Sequence, residues 1–479
     1  MKKSLLLAAL ASPAVIPATL LAEESKPNIL FLFADDHAFD RFGVASPDDK
    51  IITPNLDRLV NEGTYFTHAF NQGAWNGAVS VASRAMMVTG VNVWKAADAT
   101  KNSNRTLWPR KMKEAGYDTY FAGKWHVNGV DVATQFDTVR NVRGGMANQH
   151  KDCYGRKFDP ANPDKWTSWD TTYGGQFSGG KHWAEVTKDD AVTYLQMAKG
   201  GKDPFFMYIA FNSPHDPRQA PKEYYDMYKT EDIAVPESFL PEYPYHVEMG
   251  CPKGLRDERL APFPRTELSI QQNRHEYYAM ITHMDEQIGK ILEELERSGK
   301  ADNTYIIYTA DHGLGIGDHG LLGKQNMYDQ SMRAPFIIVG PNVPKGKRID
   351  DMIYIQDAMA TALDIAGYEG KQDIDFKSLM PHINGEKKNT ARRDAVYGGY
   401  TAQQRSVRDE EFQLIIYPKA NVVRLYNIKK DPHALNDLAD NKKYAKKMKE
   451  LYAKFTQLQK EANDKVDCSE TFNAAISKL

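Results

Sequence analysis

Residues 28–37, Asn-Ile-Leu-Phe-Leu-Phe-Ala-Asp-Asp-His, decide how this chain folds. An unbroken apolar run from Ile29 to Ala34 is too short for a helix and lacks polar alternation, so it reads as a strand buried on both faces, as parallel sheets require. Charged residues follow at once. Tyr117 to Ala122 likewise runs into Gly123-Lys124-Trp125-His126, Phe205 to Phe211 into Asn212-Ser213-Pro214-His215, and Thr304 to Thr309 into Ala310-Asp311-His312-Gly313. In an open α/β sheet functional groups gather beyond the carboxyl ends of the strands. Four separate segments are therefore expected to converge on one crevice.

Outward from these strands, Ser269 to Ser298 repeats Tyr277, Ile281, Met284, Ile288, Ile291 and Leu295 at steps of three and four, one apolar helix face that Gly299 stops. His283 within it reads as a packed histidine. Asp137 to Trp183, rich in Gly, Asn, Asp and aromatics, reads as a long surface excursion of the kind that shapes a binding mouth, and Val235 to Pro264 as a second irregular stretch. Ile353 to Ala366 reads as helix. Short strands at Ala395–Gly399, Phe412–Tyr417 and Val422–Asn427 then precede a charged terminal helix, which predicts a small C-terminal α+β subdomain.

The 479 residues carry 61 Lys plus Arg against 63 Asp plus Glu, a balance that creates no global field for nucleic acid or an anionic membrane. Residues 1–22 start basic, continue apolar from Leu5 to Leu21 and end on Ala22, the layout of a secretory signal peptide. Export to a bacterial periplasm or beyond the cell is expected, with no membrane span after cleavage. Only Cys153, Cys251 and Cys468 occur, too few for a disulfide framework.

Adjacent Asp35 and Asp36 repel unless a cation lies between them, and Asp311 ends another buried strand. Each acid alone would read as a solvated turn. Lys124 and His126 alternate onto one side of their strand end, His215 follows a third strand, and Lys324 lies in Gly320-Leu321-Leu322-Gly323-Lys324. With Arg84 these groups surround Ser80 of residues 73–90, GAWNGAVSVASRAMMVTG. The set supplies metal ligands, cationic donors and acid/base groups, the inventory for stabilising an oxyanion.

Ser80-Val81-Ala82-Ser83-Arg84 resembles the signature of the formylglycine-dependent (type I) sulfatases of the alkaline phosphatase superfamily, in its serine form. The same chain carries Pro27-Asn28-Ile29, Thr53-Pro54-Asn55-Leu56-Asp57, Thr89-Gly90, Gly123-Lys124-Trp125-His126, Ser213-Pro214-His215, Asp311-His312-Gly313, Gly317-Asp318-His319-Gly320 and Arg333-Ala334-Pro335, in the family's order. The resemblance implies an α/β/α sandwich around a large mixed sheet, a catalytic domain over 26–375 and a smaller C-terminal α+β subdomain over 376–479. It implies that Ser80 is oxidised to Cα-formylglycine by a serine-type, radical, oxygen-independent maturase. The hydrate of that aldehyde would attack sulfur with one hydroxyl and expel sulfate with the other. Asp35, Asp36, Asp311, His312 and the modified Ser80 are implied ligands of one Ca2+ ion, with His312 standing where many relatives have Asn. Arg84 and Lys124 would hold the hydrate and Lys324 a sulfate oxygen, while His215 would protonate the leaving alcohol and His126 accept the proton in sulfate elimination. A sulfated carbohydrate is the implied substrate, and Trp75, Asn76, Lys181, His182, Trp183, Arg405 and Arg408 are rim candidates because aromatics and arginines suit sugar faces and anions. The rival readings are a phosphomonoester or phosphodiester hydrolase using unmodified Ser80, and a catalytically silent sulfated-glycan binding protein.

Overall fold

The computed structural model describes residues 26–479 apart from 103, 146–149, 372, 387, 389 and 390, so the expected leader, residues 1–22, lies outside the described residues. Eight strands form one mixed sheet in the order Lys347–Ile349, Thr64–Phe66, Phe336–Val339, Thr304–Ala310, Asn28–Ala34, Phe205–Ala210, Asp118–Lys124 and Thr138–Arg143. The four apolar runs are its centre. Asn28–Ala34 runs parallel to both neighbours, with Ala34 level with Ala310 and Phe33 level with Ala210. This register brings the polar residues after each run to one edge, as the sequence predicted.

Every residue of Asn28–Ala34 is buried because helices cover both faces. On one face Trp108, from the helix Trp108–Glu114, sets its ring 5.0 Å from Phe31 and 5.0 Å from Phe206. On the other, Tyr120 meets Tyr194 of the helix Trp183–Ala198, which packs on the helix Glu267–Arg297. That long helix starts at a reciprocal Thr266–Ser269 cap and buries the apolar face expected for it. A second sheet orders Val422–Tyr426, Gln413–Tyr417, Gln404–Arg408, Val396–Tyr400 and Gly73–Ala74. Its last strand belongs to the segment that enters the helix Val79–Thr89, so the small sheet is tied directly to the approach to Ser80.

Three local expectations change. Ile353–Tyr354 pairs as a short strand with Ala69–Phe70 and the helix begins only at Asp357, after Gln356. Thr138–Arg143, expected as part of an irregular excursion, is the edge strand of the large sheet, and its polar residues face solvent there. Gln404–Arg408 is a strand that hydrophobic patterning misses, since Val407 is its sole aliphatic residue and buried pairing decides it.

Candidate active site

Ser80 enters the site from the first turn of the helix Val79–Thr89, 3% exposed. Its hydroxyl lies 3.2 Å from Asp35 Oδ1 and 3.1 Å from His312 Nε2. Asp35 and Asp36 leave the strand Asn28–Ala34, and Asp311 and His312 leave Thr304–Ala310 directly beside it. Ligand atoms of these four buried residues all lie within 4.8 Å of one another. The turn at Asp36 is left-handed, φ 69°, a conformation costly enough that the surroundings must impose it, and the Asp36 amide donates to Asp311 Oδ1 at 3.2 Å.

Three cations face these three carboxylates. Arg84, one turn along from Ser80, donates from Nε to Asp311 Oδ2 at 3.0 Å and from Nη1 to the Lys124 carbonyl at 2.7 Å, while its buried Nη2 has no hydrogen-bond partner among the described residues and lies 3.8 Å from Asp35 Oδ1. Lys124 Nζ bonds Asp35 Oδ2, and Lys324 Nζ lies 2.8 Å from both oxygens of Asp36. Gly123 lets Lys124 reach inward: at φ 95° a Cβ would stand 1.9 Å from the Ala210 carbonyl oxygen, a space only glycine fits. Burial pushes the Asp35 carboxyl up, but Lys124, His215, Arg84 and Lys324 together hold it well below the usual carboxylate range. Burial pulls Lys124 down, while Lys324 is raised because Asp36 and Asp257 outweigh the same penalty.

Above this floor opens a cavity of about 220 Å³ lined by Gly77, Ala78, Val79, Ser80, His126, His215, Leu255, Arg256, Asp257, Lys324 and Gln325. His215 Nε2 lies 3.7 Å from Asp36 Oδ2. His126 is pushed down to about 3 by burial and by Lys124 and Arg84, so it is neutral at physiological pH. Ser83 instead supports the floor, donating to the Asp311 carbonyl at 2.6 Å. Ser80, three cations and a cluster of hard donors thus meet beneath a cavity that two histidines line.

The structure brings Ser80, Arg84, Lys124, His126, His215, Lys324, Asp35, Asp36, Asp311 and His312 together, while none of the rim candidates is among the residues that line this cavity, although Trp75 and Asn76 directly precede its Gly77. His182 caps the helix Trp183–Ala198 through Nδ1, donates from Nε2 to the Gln219 carbonyl at 3.0 Å and packs 4.4 Å from His283, leaving 1% exposed. Arg405 is locked bidentately on Asp464 at 2.6 and 2.7 Å, and Arg408 pairs with Asp329 at 3.2 Å over the Phe70 ring. Neither arginine lines the cavity. Trp75 packs against the C-terminal core, Asn76 accepts from the Ala78 amide, Lys181 pairs with Asp189, and the Trp183 ring stacks under Arg143. Asp318 and His319 are also turned away, toward Arg274 and Tyr328. Arg256, Asp257 and Gln325, which sequence reasoning missed, line the cavity from an irregular stretch and from the residue after Lys324; only the adjacency of Gln325 to a motif residue could have flagged it.

Residues 27–368 match the family model "Sulfatase", and residues 317–461 match "N-sulphoglucosamine sulphohydrolase, C-terminal". The chain is 28% identical over 517 residues to an N-acetylglucosamine-6-O-sulfatase of Bacteroides thetaiotaomicron, covering 92% of this chain and 88% of that protein. In fold it is similar to a solved structure in complex with its substrate D-glucosamine-2-N,6-O-disulfate, at TM-score 0.71 and 24% identity over 92% of this chain and 98% of the other. It is similar as well to a phosphonate monoester hydrolase from Silicibacter pomeroyi, at TM-score 0.73 and 20% identity over 91% and 96%. Among the described residues no helix is long and apolar enough to cross a membrane.

Proposed function

The chain belongs to the sulfatase family and is a sulfuric ester hydrolase, and from that premise we propose that it removes sulfate from a sulfated carbohydrate, using a Cα-formylglycine made from Ser80 and a divalent cation, calcium by donor chemistry. The Ser80 hydroxyl carries this reading, lying 3.2 Å from Asp35 Oδ1 and 3.1 Å from His312 Nε2 beneath a cavity flanked by two histidines and a lysine.

The donor set fits such an ion. Asp35, Asp36 and Asp311 offer buried hard oxygens, and His312 turns Nε2 toward them because its Nδ1 is engaged with the Gly313 carbonyl at 2.8 Å. An imidazole in the set broadens the divalent ions it suits. A cation held there supplies fixed positive charge that acidifies an oxygen ligand, and an aldehyde hydrate at position 80 supplies two hydroxyls on one carbon where serine has one.

Around that centre Arg84 and Lys124 hold the nucleophile's oxygens and offset their negative charge. Lys324, the floor cation that also lines the cavity, binds a sulfate oxygen. His215 gives a proton to the departing alcohol oxygen, and His126, neutral at working pH, accepts one. The sulfated-sugar relatives support carbohydrate as the substrate class. Export through the leader at 1–22 and oxidation by a serine-type, radical, oxygen-independent maturase complete the proposal.

Peptide mass spectrometry across Ser80 tests it, on protein from its native host or one co-expressing a serine-type maturase. Loss of two hydrogens from the serine is expected; an intact serine in fully active enzyme overturns the proposal. The likeness to a phosphonate monoester hydrolase keeps phosphoryl transfer as the second reading. Turnover of 4-nitrophenyl sulfate and 4-nitrophenyl phosphate by the same protein separates the two, and a strong preference for phosphate would sink the first.

A further inference from the structure

His215 and His126 line the same cavity but are held differently. Among the described residues His126 Nδ1 is buried with no hydrogen-bond partner. His215 Nδ1 lies 2.7 Å from the Asp216 carbonyl oxygen and 3.0 Å from Asp216 Oδ1. Both neighbours are acceptors, so Nδ1 carries a hydrogen in either protonation state and Nε2 is the atom that gains or gives a proton. Nε2 is also the atom turned toward the floor.

Asp216 is itself fixed. It is 4% exposed, its Oδ2 accepts from the Tyr154 hydroxyl, and Arg256 Nη2 lies 3.5 Å from Oδ1. Burial pushes this carboxyl up, but Arg256 and His215 hold it well below the usual carboxylate range, so it is charged. Tyr154 comes from the long excursion between Asp137 and Trp183 and is seated in a separate apolar cluster with Cys153, Trp166, Leu260, Ile270 and Leu322. Arg256 is braced by Asp257, Nε to Oδ1 at 2.9 Å, and Asp257 in turn accepts from Gln325 Nε2 at 2.6 Å. A carboxylate with one oxygen on a tyrosine and the other shared by an arginine and a histidine has no freedom to turn.

We infer that Asp216, held by Tyr154 and Arg256, is a positioning residue that fixes the tautomer and ring orientation of His215, so that Nε2–H is the proton delivered to the leaving group. This rests on the reading of His215 as the proton donor. As the sulfur–oxygen ester bond breaks, its electron pair stays on the alcohol oxygen. The Nε2 proton passes to that oxygen, the alcohol departs, and the imidazole is left neutral with Nδ1–H still on Asp216. Through Tyr154 the excursion thereby serves proton transfer, although none of its described residues lines the cavity.

The test measures kcat and KM for a series of aryl sulfates of graded phenol acidity with wild type, Asp216→Asn, Tyr154→Phe and His215→Ala. A proton donor matters most when the leaving oxygen is basic, so Asp216→Asn should lose kcat by about 10- to 100-fold on the least acidic phenol and less than about 3-fold on 4-nitrophenyl sulfate, with KM little changed. Tyr154→Phe should steepen the same dependence by a smaller factor. It keeps the inference testable if the asparagine variant fails to fold. A parallel loss across the series in both variants, while His215→Ala steepens it, overturns the positioning role and leaves the proton donor in place. An unchanged slope for His215→Ala overturns the assignment of His215 and this inference with it.

Discussion

The floor of the cavity hangs from regular elements, whereas its wall hangs from loops. Asp35, Asp36, Asp311 and His312 follow two paired strands, and Ser80 and Arg84 share one helix. His126, His215 and Arg256 lie beyond strand ends or in irregular chain, with His126 at φ 51°. The floor is a set of compensated charges: carboxylates Asp35, Asp36 and Asp311 against Arg84, Lys124 and Lys324, all buried. Removing any member leaves its partners exposed to a low-dielectric interior. The wall holds individually oriented rings, and on the proposed roles their replacement should change proton transfer more than folding.

The widest separation between the two regions is expected at Ser80. Ser80→Ala should lower kcat on 4-nitrophenyl sulfate by about 10⁶-fold, the scale seen when a nucleophile is deleted, with a smaller loss of stability than removal of a floor charge because the substitution orphans no buried cation. Activity within tenfold of wild type would mean that the floor is not where the bond is made.

The floor's electrostatic debt should appear next, as lost stability. Arg84→Met keeps the bulk over the Phe33 ring but strips the guanidinium from Asp311 and from the Lys124 carbonyl. With a chelator present, so that no added cation substitutes for it, urea unfolding should show a loss of about 3–5 kcal/mol, the usual result of orphaning a buried charge. A loss below about 1 kcal/mol, the worth of a surface pair, would show that the floor carboxylates are solvated and would dissolve the contrast with the wall.

The same contrast explains what the sequence reveals. Asn28–Ala34 declares itself because a strand buried on both faces can only be apolar, and the residues just past such a strand inherit its position, which is why Asp35 and Asp311 are legible as neighbours. Tyr154 is not legible: it reaches Asp216 from 62 residues away through tertiary packing, and nothing near it in sequence signals a partner. Gln404–Arg408 hides for a related reason, since Gln404 Nε2 and the Arg405 guanidinium are buried against distant groups, the Met249 and Gln325 carbonyls and Asp464. His182 and Arg405 show the opposite error. A ring nitrogen that suits a sugar hydroxyl also suits a helix cap, and a guanidinium fork that suits a sulfate also suits Asp464. Residue chemistry names what a side chain can bind, while only the fold decides whether that partner comes from inside.

The smallest expected effect separates floor and wall by acid. His126 has a folded pKa of about 3 against an ordinary value of 6.5, because burial, Lys124 and Arg84 all disfavour its charged form. The unfolded chain therefore takes up a proton at this residue while the folded protein does not. Its contribution to stability is full above pH 6.5 and drains away as pH falls from 6.5 toward 3. Asp35 behaves differently, since its folded pKa is depressed below 3.8 and its contribution survives until the pH falls through that lower range. Between pH 6.5 and 4 the wall should weaken while the floor holds. Other buried histidines, His37 among them, titrate in the same direction, so the comparison needs a variant. His126→Gln should lose less thermal stability than wild type on going from pH 7 to 4, and the His126 Cε1–H resonance should keep its neutral shift down to pH 4. A midpoint near 6.5 for that resonance would show that burial, Lys124 and Arg84 do not hold His126 neutral through this range, and would remove the predicted difference between wall and floor.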